Sequence, residues 1–491
     1  MRTIIADIKH FAADERGTML AMWGVSFVVV FGLVAMSFDL GRVGITRSEL
    51  QSYADSVALA AAGELDGQDD AITRATAAAA NLIGDTKTYG SGTNTLAGAT
   101  NYTLTFLETL PGNDTSAIGA TTTDAREARY ARVVVNSSTV QASFGAAFTA
   151  LTGNPGVDET AAASAVAGFT QFACDVTPLM FCLPDPNFKA DANIGKMINL
   201  RSGGNGAAWG PGDFGFLDPS KVKVDDEGPC AGKSGVQLDA CLIGAVGSIT
   251  QCFDQRGVDI EPGQKVGIEN AIFNIRFDIY NAIMNGKRND ADYAPAPNVI
   301  KGQVPKGGGS CIGNKSNPSN TMGLPQDDCF TSGTCGGRFG DGNWAVGRAN
   351  YVAHNYGGVD PFPSATTRYE YYLAEIAAAG AGDILTGVGI DGLPVQETGR
   401  PICSPNMSVD PDRRVVIAAG IDCAANGISG AATNVPVEEF FKVFLTEPVG
   451  TDGSSPRKID IWGEIVGTAG GAGAGTGGTG GIFRDVVQLY R

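Results

Sequence analysis

Histidine is almost missing from this chain of 491 residues: only His10 and His354 occur. A site built from several imidazoles is therefore excluded, and with it most zinc and non-haem iron hydrolases. Charge is scarce as well, at 18% of residues, where soluble globular proteins average about 25%. What charge there is leans acidic, with a net −17, so no broad basic face is left to neutralise phosphates, and no nucleic-acid partner is expected. No cysteine lies in the first 173 residues, no Cys-x-x-Cys occurs, and no Gly-x-Ser-x-Gly nucleophile motif is present. A serine triad would have to use His354, which sits between aromatics in NYVAHNYGG and reads as structural.

One apolar run dominates what is there. Gly17 to Phe38 (GTMLAMWGVSFVVVFGLVAMSF) contains no charged residue and is bounded by Arg16 and Asp39. At about 1.5 Å per residue it is long enough to cross a hydrocarbon core about 30 Å thick. A secretory signal has a shorter apolar run and a small-residue cleavage site. Here the following residues continue a helical pattern, so the segment reads as an uncleaved anchor. The ten cysteines, Cys174, Cys182, Cys230, Cys241, Cys252, Cys311, Cys329, Cys335, Cys403 and Cys423, are even in number and widely spaced. That is the usage of a disulfide framework in an oxidising compartment. It sets the orientation expected: residues 1–16 a cytoplasmic tail, 17–38 the span, and the remainder outside a bacterial inner membrane, periplasmic or at the cell surface.

The expected fold class is α+β. Leu40, Val43, Leu50, Tyr53, Ala54, Val57, Ala58 and Ala61 form an apolar stripe that carries the helix to about Leu65. A second helix is predicted over Ala71 to Ile83 and a small one over Ala142 to Leu151, with strands at Tyr102 to Leu107, Tyr130 to Val135 and Thr160 to Phe169. Residues 39–170 thus read as a long helix plus a small α+β unit. Residues 171–491 read as a cysteine-containing α+β region. In it, Val266 to Met284 is predicted as one helix with an isoleucine face, and Val415 to Ala419, Phe440 to Thr446, Ile459 to Val466 and Asp485 to Tyr490 as strands. The Gly-rich stretch 467–481 reads as a flexible loop. Cys403 and Cys423 flank a predicted strand and are close in sequence, so they are expected to pair; Cys174 and Cys182 are further disulfide candidates.

Chemical motifs are weak throughout. Gly232-Lys233-Ser234 ends like a phosphate loop, but Glu227 stands where its first Gly is needed. The Gly473–Gly480 tract matches a dinucleotide fingerprint only as any Gly-rich tract does. Asp452-Gly453-Ser454-Ser455 lacks the last Ser of a metal-dependent adhesion motif. Asp290/Asp292, Asp327/Asp328 and Asp410/Asp412 lack calcium-loop spacing. No metal, cofactor or catalytic residue is expected, although a carboxylate pair distant in sequence stays open.

The amino-terminal stretch resembles the TadG-like and TadE-like proteins of the Flp/Tad pilus-assembly system. The residues that carry the likeness are Arg16-Gly17 before the span, Asp39-Leu40-Gly41-Arg42 after it, and LQSYADSVALAAA from Leu50 to Ala62. The resemblance implies a membrane-anchored accessory or minor pilin-like component with other pilus-assembly proteins as partners. Gly24, Gly32 and Ala35 are the small residues that would let the span pack on like helices, with Ala58, Ala60, Ala61 and Ala62 extending the contact. The alternative is an envelope-anchored adhesin or carbohydrate binder using Trp209, Trp344, Tyr351, Tyr356, Tyr371 and Tyr372 as stacking faces. An anchored hydrolase ranks last.

Type IV-like prepilins carry Glu five residues after the cleaved Gly, whereas Met22 stands there after Gly17. The span is therefore expected to be retained. Amino-terminal sequencing of membrane-extracted protein should find it intact; a mature chain starting at Thr18 would contradict this.

Overall fold

The computed structural model describes residues 17–490 except 82–83, 90–94, 114–115, 120, 146–158, 204–206, 219–227, 247–251, 262–268, 306–310, 312–315, 319–321, 381–383, 385–396, 398, 452–458 and 472–481. The architecture is α+β, in two units: Met1–Phe169 with Val487–Arg491, and Thr170–Val486.

In the first unit, helix α1 runs from Gly17 to Ala62, and α2 from Ala71 to Asn81. The sheet is antiparallel: β1 (Tyr102–Leu107) pairs with β2 (Tyr130–Val140), and β2 with β3 (Glu159–Cys174). The apolar stripe decides the packing. Leu50, Tyr53, Ala54, Val57, Ala58, Ala61 and Ala62 of α1 are buried in one core with Val133, Val135, Ala163 and Ala165 of the sheet. Alanine on both surfaces lets helix and sheet approach closely. Gly168 is needed for a similar reason: a Cβ there would lie 2.6 Å from the Tyr130 ring. At the turn between the helices, Arg74 pairs with Glu64, Asp66 and Asp70. The last strand, Phe483–Leu489, joins β3.

The second unit is built on a closed ring of six strands. These are β4 (Leu179–Cys182), β5 (Met197–Ser202), β6 (Asp213–Phe216), β7 (Val415–Ile421), β8 (Glu439–Leu445) and β9 (Ile459–Gly471). The order is β8-β7-β4-β6-β5-β9, and β9 pairs back onto β8. Closure gives each of the six strands a partner on both sides. Both faces are covered. Met180 and Cys182 enter one apolar cluster while Phe181 between them enters another. A strand buried on both sides reads as a continuous apolar run, which is why the Phe440 to Thr446 strand is legible in the sequence, whereas LMFC at 179–182, only four residues long, is not. Around the ring lie α3 (Val236–Gly244), α4 (Glu269–Asn274), α5 (Ala345–Tyr356) and α6 (Arg368–Ala379).

Three expectations need correction. Val266 to Met284 is not one helix. Its described part consists of α4, a 3-10 turn at Ile275–Phe277, and a second 3-10 segment at Ala282–Lys287. Asp278 breaks it by taking φ of 61°. In that position its carboxylate accepts the amides of Ile402, Cys403 and Ser404 at 2.6–2.8 Å, a gain available only outside a helix. Nor do Cys403 and Cys423 pair. The bridges are Cys174–Cys252, Cys182–Cys423, Cys230–Cys241, Cys311–Cys403 and Cys329–Cys335. Parallel pairing sets Ile421 opposite Cys182, so the ends of β4 and β7 deliver Cys182 and Cys423 to each other. The loop this closes spans 241 residues, a cross-link that stabilises by about 5 kcal/mol on the chain-entropy account. Of the loop predicted at 467–481, residues up to Gly471 belong to β9; the rest lies outside the described residues. So does the predicted helix Ala142 to Leu151 beyond a helical turn at 143–145.

The second unit is locked by a buried cation. Arg368 has no exposed side-chain surface and pairs with Asp327 at 2.5 Å and Glu464 at 3.0 Å, both equally buried. It also donates to the Pro325 and Gly195 carbonyls. Asp327 in turn accepts the Met197 and Gly342 amides. Gly340 abuts this carboxylate, and a Cβ there would collide with it at 1.9 Å. Removing one member of such a network leaves uncompensated buried charge. Arg368→Met is therefore expected to lower stability by about 3–5 kcal/mol, read from urea unfolding of the detergent-solubilised chain. A loss below about 1 kcal/mol, the scale of a surface pair, would show that the network is not a lock.

Candidate functional site

The chemistry of the first unit is concentrated where α1 leaves its uncharged run. From Met22 to Phe38 the large apolar side chains of α1 are exposed, and this is the one helix among the described residues long and apolar enough to cross a membrane. Its first charged side chain, Asp39, accepts the Gly145 amide at 2.9 Å and the Phe144 amide at 3.4 Å. One turn on, Arg42 donates to Ser143 Oγ and lies over the Tyr89 ring at 5.0 Å. Phe144 meets Phe38 edge-on, with centroids 5.7 Å apart. Asp39 and Arg42 thus clamp the segment after β2 against the helix. Between them opens an apolar cleft of about 530 Å³, walled by Val28, Gly32, Ala35 and Met36 on one side and Val140 and Phe144 on the other. Sequence reasoning misses Ser143 and Phe144; the apolar SFGAAF stretch between two strands is the signal that could find them.

At about 100° per residue, the predicted packing residues Gly24, Gly32 and Ala35 fall within an arc of about 80° on α1. Gly32 and Ala35 line the cleft, and Gly24 and Gly32 alike have nothing within 4 Å of where a Cβ would stand. Between the bounding residues Gly17 and Phe38 the helix is unbroken. The extension suggested for Ala58, Ala61 and Ala62 is overturned: these pack on the unit's own sheet and are buried there.

The stacking faces of the carbohydrate reading are overturned as well. Trp209, Trp344, Tyr351, Tyr371 and Tyr372 are buried, and all but Trp209 belong to one aromatic core with the half-covered Tyr356. His354 is exposed on α5, its Nδ1 3.0 Å from the Asn350 carbonyl oxygen. The acidic clusters are caps. Asp290 accepts the Asp292 amide, Asp410 the Asp412 amide, and Asp328 the amides of Val346 and Gly347 at the start of α5. Asp327, Cys329 and Asp341 approach one another as a metal site would. Cys329, however, is bound to Cys335, and Asp327 is committed to Arg368. The near-miss adhesion motif at Asp452 lies outside the described residues.

Among the cavities that bring carboxylates together, the one of about 830 Å³ in the second unit is a candidate for a carboxylate pair. It is lined by Asp328 and Glu447, with Gln326, Lys301 and Asn350. Asp328 has both oxygens engaged by the α5 amides. Glu447 accepts from Gln326 at 3.3 Å. Burial pushes its carboxyl up to about 7, helped by Asp460 and opposed by the Gln326 hydrogen bond.

A family model described as putative Flp pilus-assembly TadE/G-like matches residues 17–64. The matched stretch is α1 and the residues just past it, and it supports a component related to pilus assembly. No curated protein and no solved structure matches the chain.

The raised carboxyl of Glu447 makes stability fall as pH rises. The folded state holds the proton more tightly than the unfolded state, so the contribution is full below pH 4.5 and is lost through about pH 7. The difference is about 3 kcal/mol. Glu447→Gln should flatten the pH dependence of urea unfolding between pH 4.5 and about 7 and leave the variant the more stable protein at the upper end. An unchanged slope would place the titration elsewhere.

Proposed function

We propose that this protein is a membrane-anchored accessory or minor pilin-like component of a Flp/Tad-type pilus-assembly system, with a structural role and no catalytic step. The observation that carries the reading is α1. The stretch matched to the pilus-assembly family coincides with one continuous helix, bare through its uncharged half and then the central element of a folded unit. A bare apolar helix of this length belongs in a bilayer. The disulfides of the second unit support a folded bulk on the oxidising side, in the periplasm or at the cell surface. The helix acts as a retained signal anchor, and Gly24 and Gly32 are small residues with open space around them for contact with a like helix in the membrane. The acidic clusters that could have carried catalysis are spent on caps and on the Arg368 network.

Deleting the gene should remove or sharply reduce surface pili in electron micrographs, and a plasmid copy should restore them. Normal piliation in the deletion strain would overturn the assembly role. A copy in which 17–38 is replaced by an unrelated membrane span separates anchoring from docking. Failure to restore pili supports lateral contact through α1, whereas full restoration shows that the span only anchors.

A further inference from the structure

The cleft between α1 and the segment after β2 is fixed in depth by its own contacts. Asp39, the first charged residue past the uncharged run, holds the amides of Phe144 and Gly145. The Phe144 ring meets Phe38, the last residue of that run. From Gly17 to Phe38 the helix is about 33 Å long, against a hydrocarbon core about 30 Å thick. Phe38 therefore marks the edge of the core, and the segment after β2 is pinned at that edge. Phe144 is 48% exposed there, an apolar ring turned to lipid rather than to protein.

The cleft runs on along the helix from this level. Val28, Gly32, Met36, Asp39 and Val43 line it at three- and four-residue steps, so they share one face of α1. From Phe38 down to Val28 is about 15 Å, half of the hydrocarbon core and hence the depth of one leaflet. The whole wall from Val28 to Val43 is about 22 Å long. Spread over that length, a volume of about 530 Å³ leaves a mean cross-section of about 24 Å². A helix about 10 Å across needs about 80 Å², so a second copy of α1 is more than three times too wide. The lining is apolar except for Asp39, Gln141 and Glu159. A narrow apolar slot one leaflet deep, opening beside polar side chains, has the dimensions and polarity of a single lipid chain.

We propose that this cleft seats one acyl chain of a phospholipid from the outer leaflet, with the headgroup at the level of Asp39. The chain completes the packing between α1 and the segment after β2, and the lipid so held fixes the first unit against the membrane surface. This seating presupposes α1 as the membrane span of the reading above, and not the pilus role. A chain lying along Gly32 leaves lateral contact with a like helix to Gly24, which is not among the residues that line the cleft.

The test is photolabelling of the full chain in phosphatidylethanolamine–phosphatidylglycerol vesicles that contain a phospholipid with a diazirine midway along one acyl chain. Adducts are mapped by peptide mass spectrometry. The expected result is labelling of Val28, Met36 and the 140–144 segment at least about fivefold above Phe27, Phe31 and Val34, which are exposed on the opposite face of α1. Gly32→Phe puts a ring where a Cβ meets nothing within 4 Å, fills the cleft and should bring that labelling down to the level of the opposite face. Gly24→Phe should leave it unchanged. Even labelling around the helix overturns the proposal, since lipid then only surrounds α1. Protection of Val28 and Met36 from the probe overturns it too and points to a second copy, and so does a Gly32→Phe protein that keeps the pattern. Should that variant not fold, the pattern on the parent alone decides. Release of the parent from membranes by alkaline carbonate is a separate outcome: it overturns the span itself, and the lipid site with it.

Discussion

One helix has to satisfy two solvents, and the first unit follows from how it does so. For its uncharged half α1 shows apolar side chains in every direction, which is tolerable only in lipid. Past Asp39 the same helix must become one-sided, because its outer face meets water and its inner face meets a sheet. The change comes within one turn. Asp39 and Arg42 are the first charged residues after the run, and both are used at once on the segment after β2. The Asp-Leu-Gly-Arg signature is therefore a joint: it fixes where the apolar cylinder stops and the packed helix begins. Tyr53, Val57 and Ala61 then find their sheet, and the stripe that could have served a partner serves the fold.

The second unit solves a different problem. A ring of strands buried on both faces has few places for polar groups, yet several arginines lie inside. Arg368 ties residues far apart in sequence, from Gly195 to Glu464, through carboxylates and carbonyls. Arg414 donates to the carbonyls of Leu445 and Thr446 and is flanked by Phe277, Tyr372 and Phe444 at 4.4–4.9 Å. A network of this kind fixes register, since a strand shifted by one residue would strand a charge in the core.

What the sequence makes legible is whatever is local. The uncharged run, the stripe of α1, the β-branched residues of β7 and β9 and the aromatic-rich run of β8 announce themselves by period and length, and they give the α+β class. The pilus-assembly likeness rests on equally local residues, from Gly17 to about Glu64. What it hides is set by distance. Cys423 lies nearer Cys403 in sequence, but the parallel pairing of β4 with β7 decides its partner, and nothing in the spacing shows that pairing. Val266 to Met284 has a helix's periodicity, and only the need of the 402–404 amides for an acceptor explains why Asp278 leaves the helix. The aromatic cluster of Trp344, Tyr351 and Tyr371 looks like a binding face in sequence because aromatics suit both sites and cores; Glu375, accepting from Tyr351 and Tyr356, shows that their hydroxyls are satisfied internally.

The net charge hides a buried population of both signs. At −17 the chain is acidic, and while Arg276, Arg368, Arg413 and Arg414 are withdrawn from the surface, so are Asp278, Asp327, Glu375, Glu397, Glu439 and Glu464, which leaves the outside about as acidic as the count suggests. Burial pushes Arg413 and Arg414 down only to about 10, so both stay charged at neutral pH. Their partners are mainly carbonyls, each offering a fraction of a charge. Arginine suits this use because its planar fork meets several carbonyls at once, where a lysine ammonium would ask for a compact shell of oxygens. Where the carbonyls suffice, as around Arg414, the cation closes the core. At Arg276 the carbonyls do not suffice: Nε and Nη1 are buried without a hydrogen-bond partner, and burial together with the neighbouring Arg413 pushes that guanidinium well below its ordinary value.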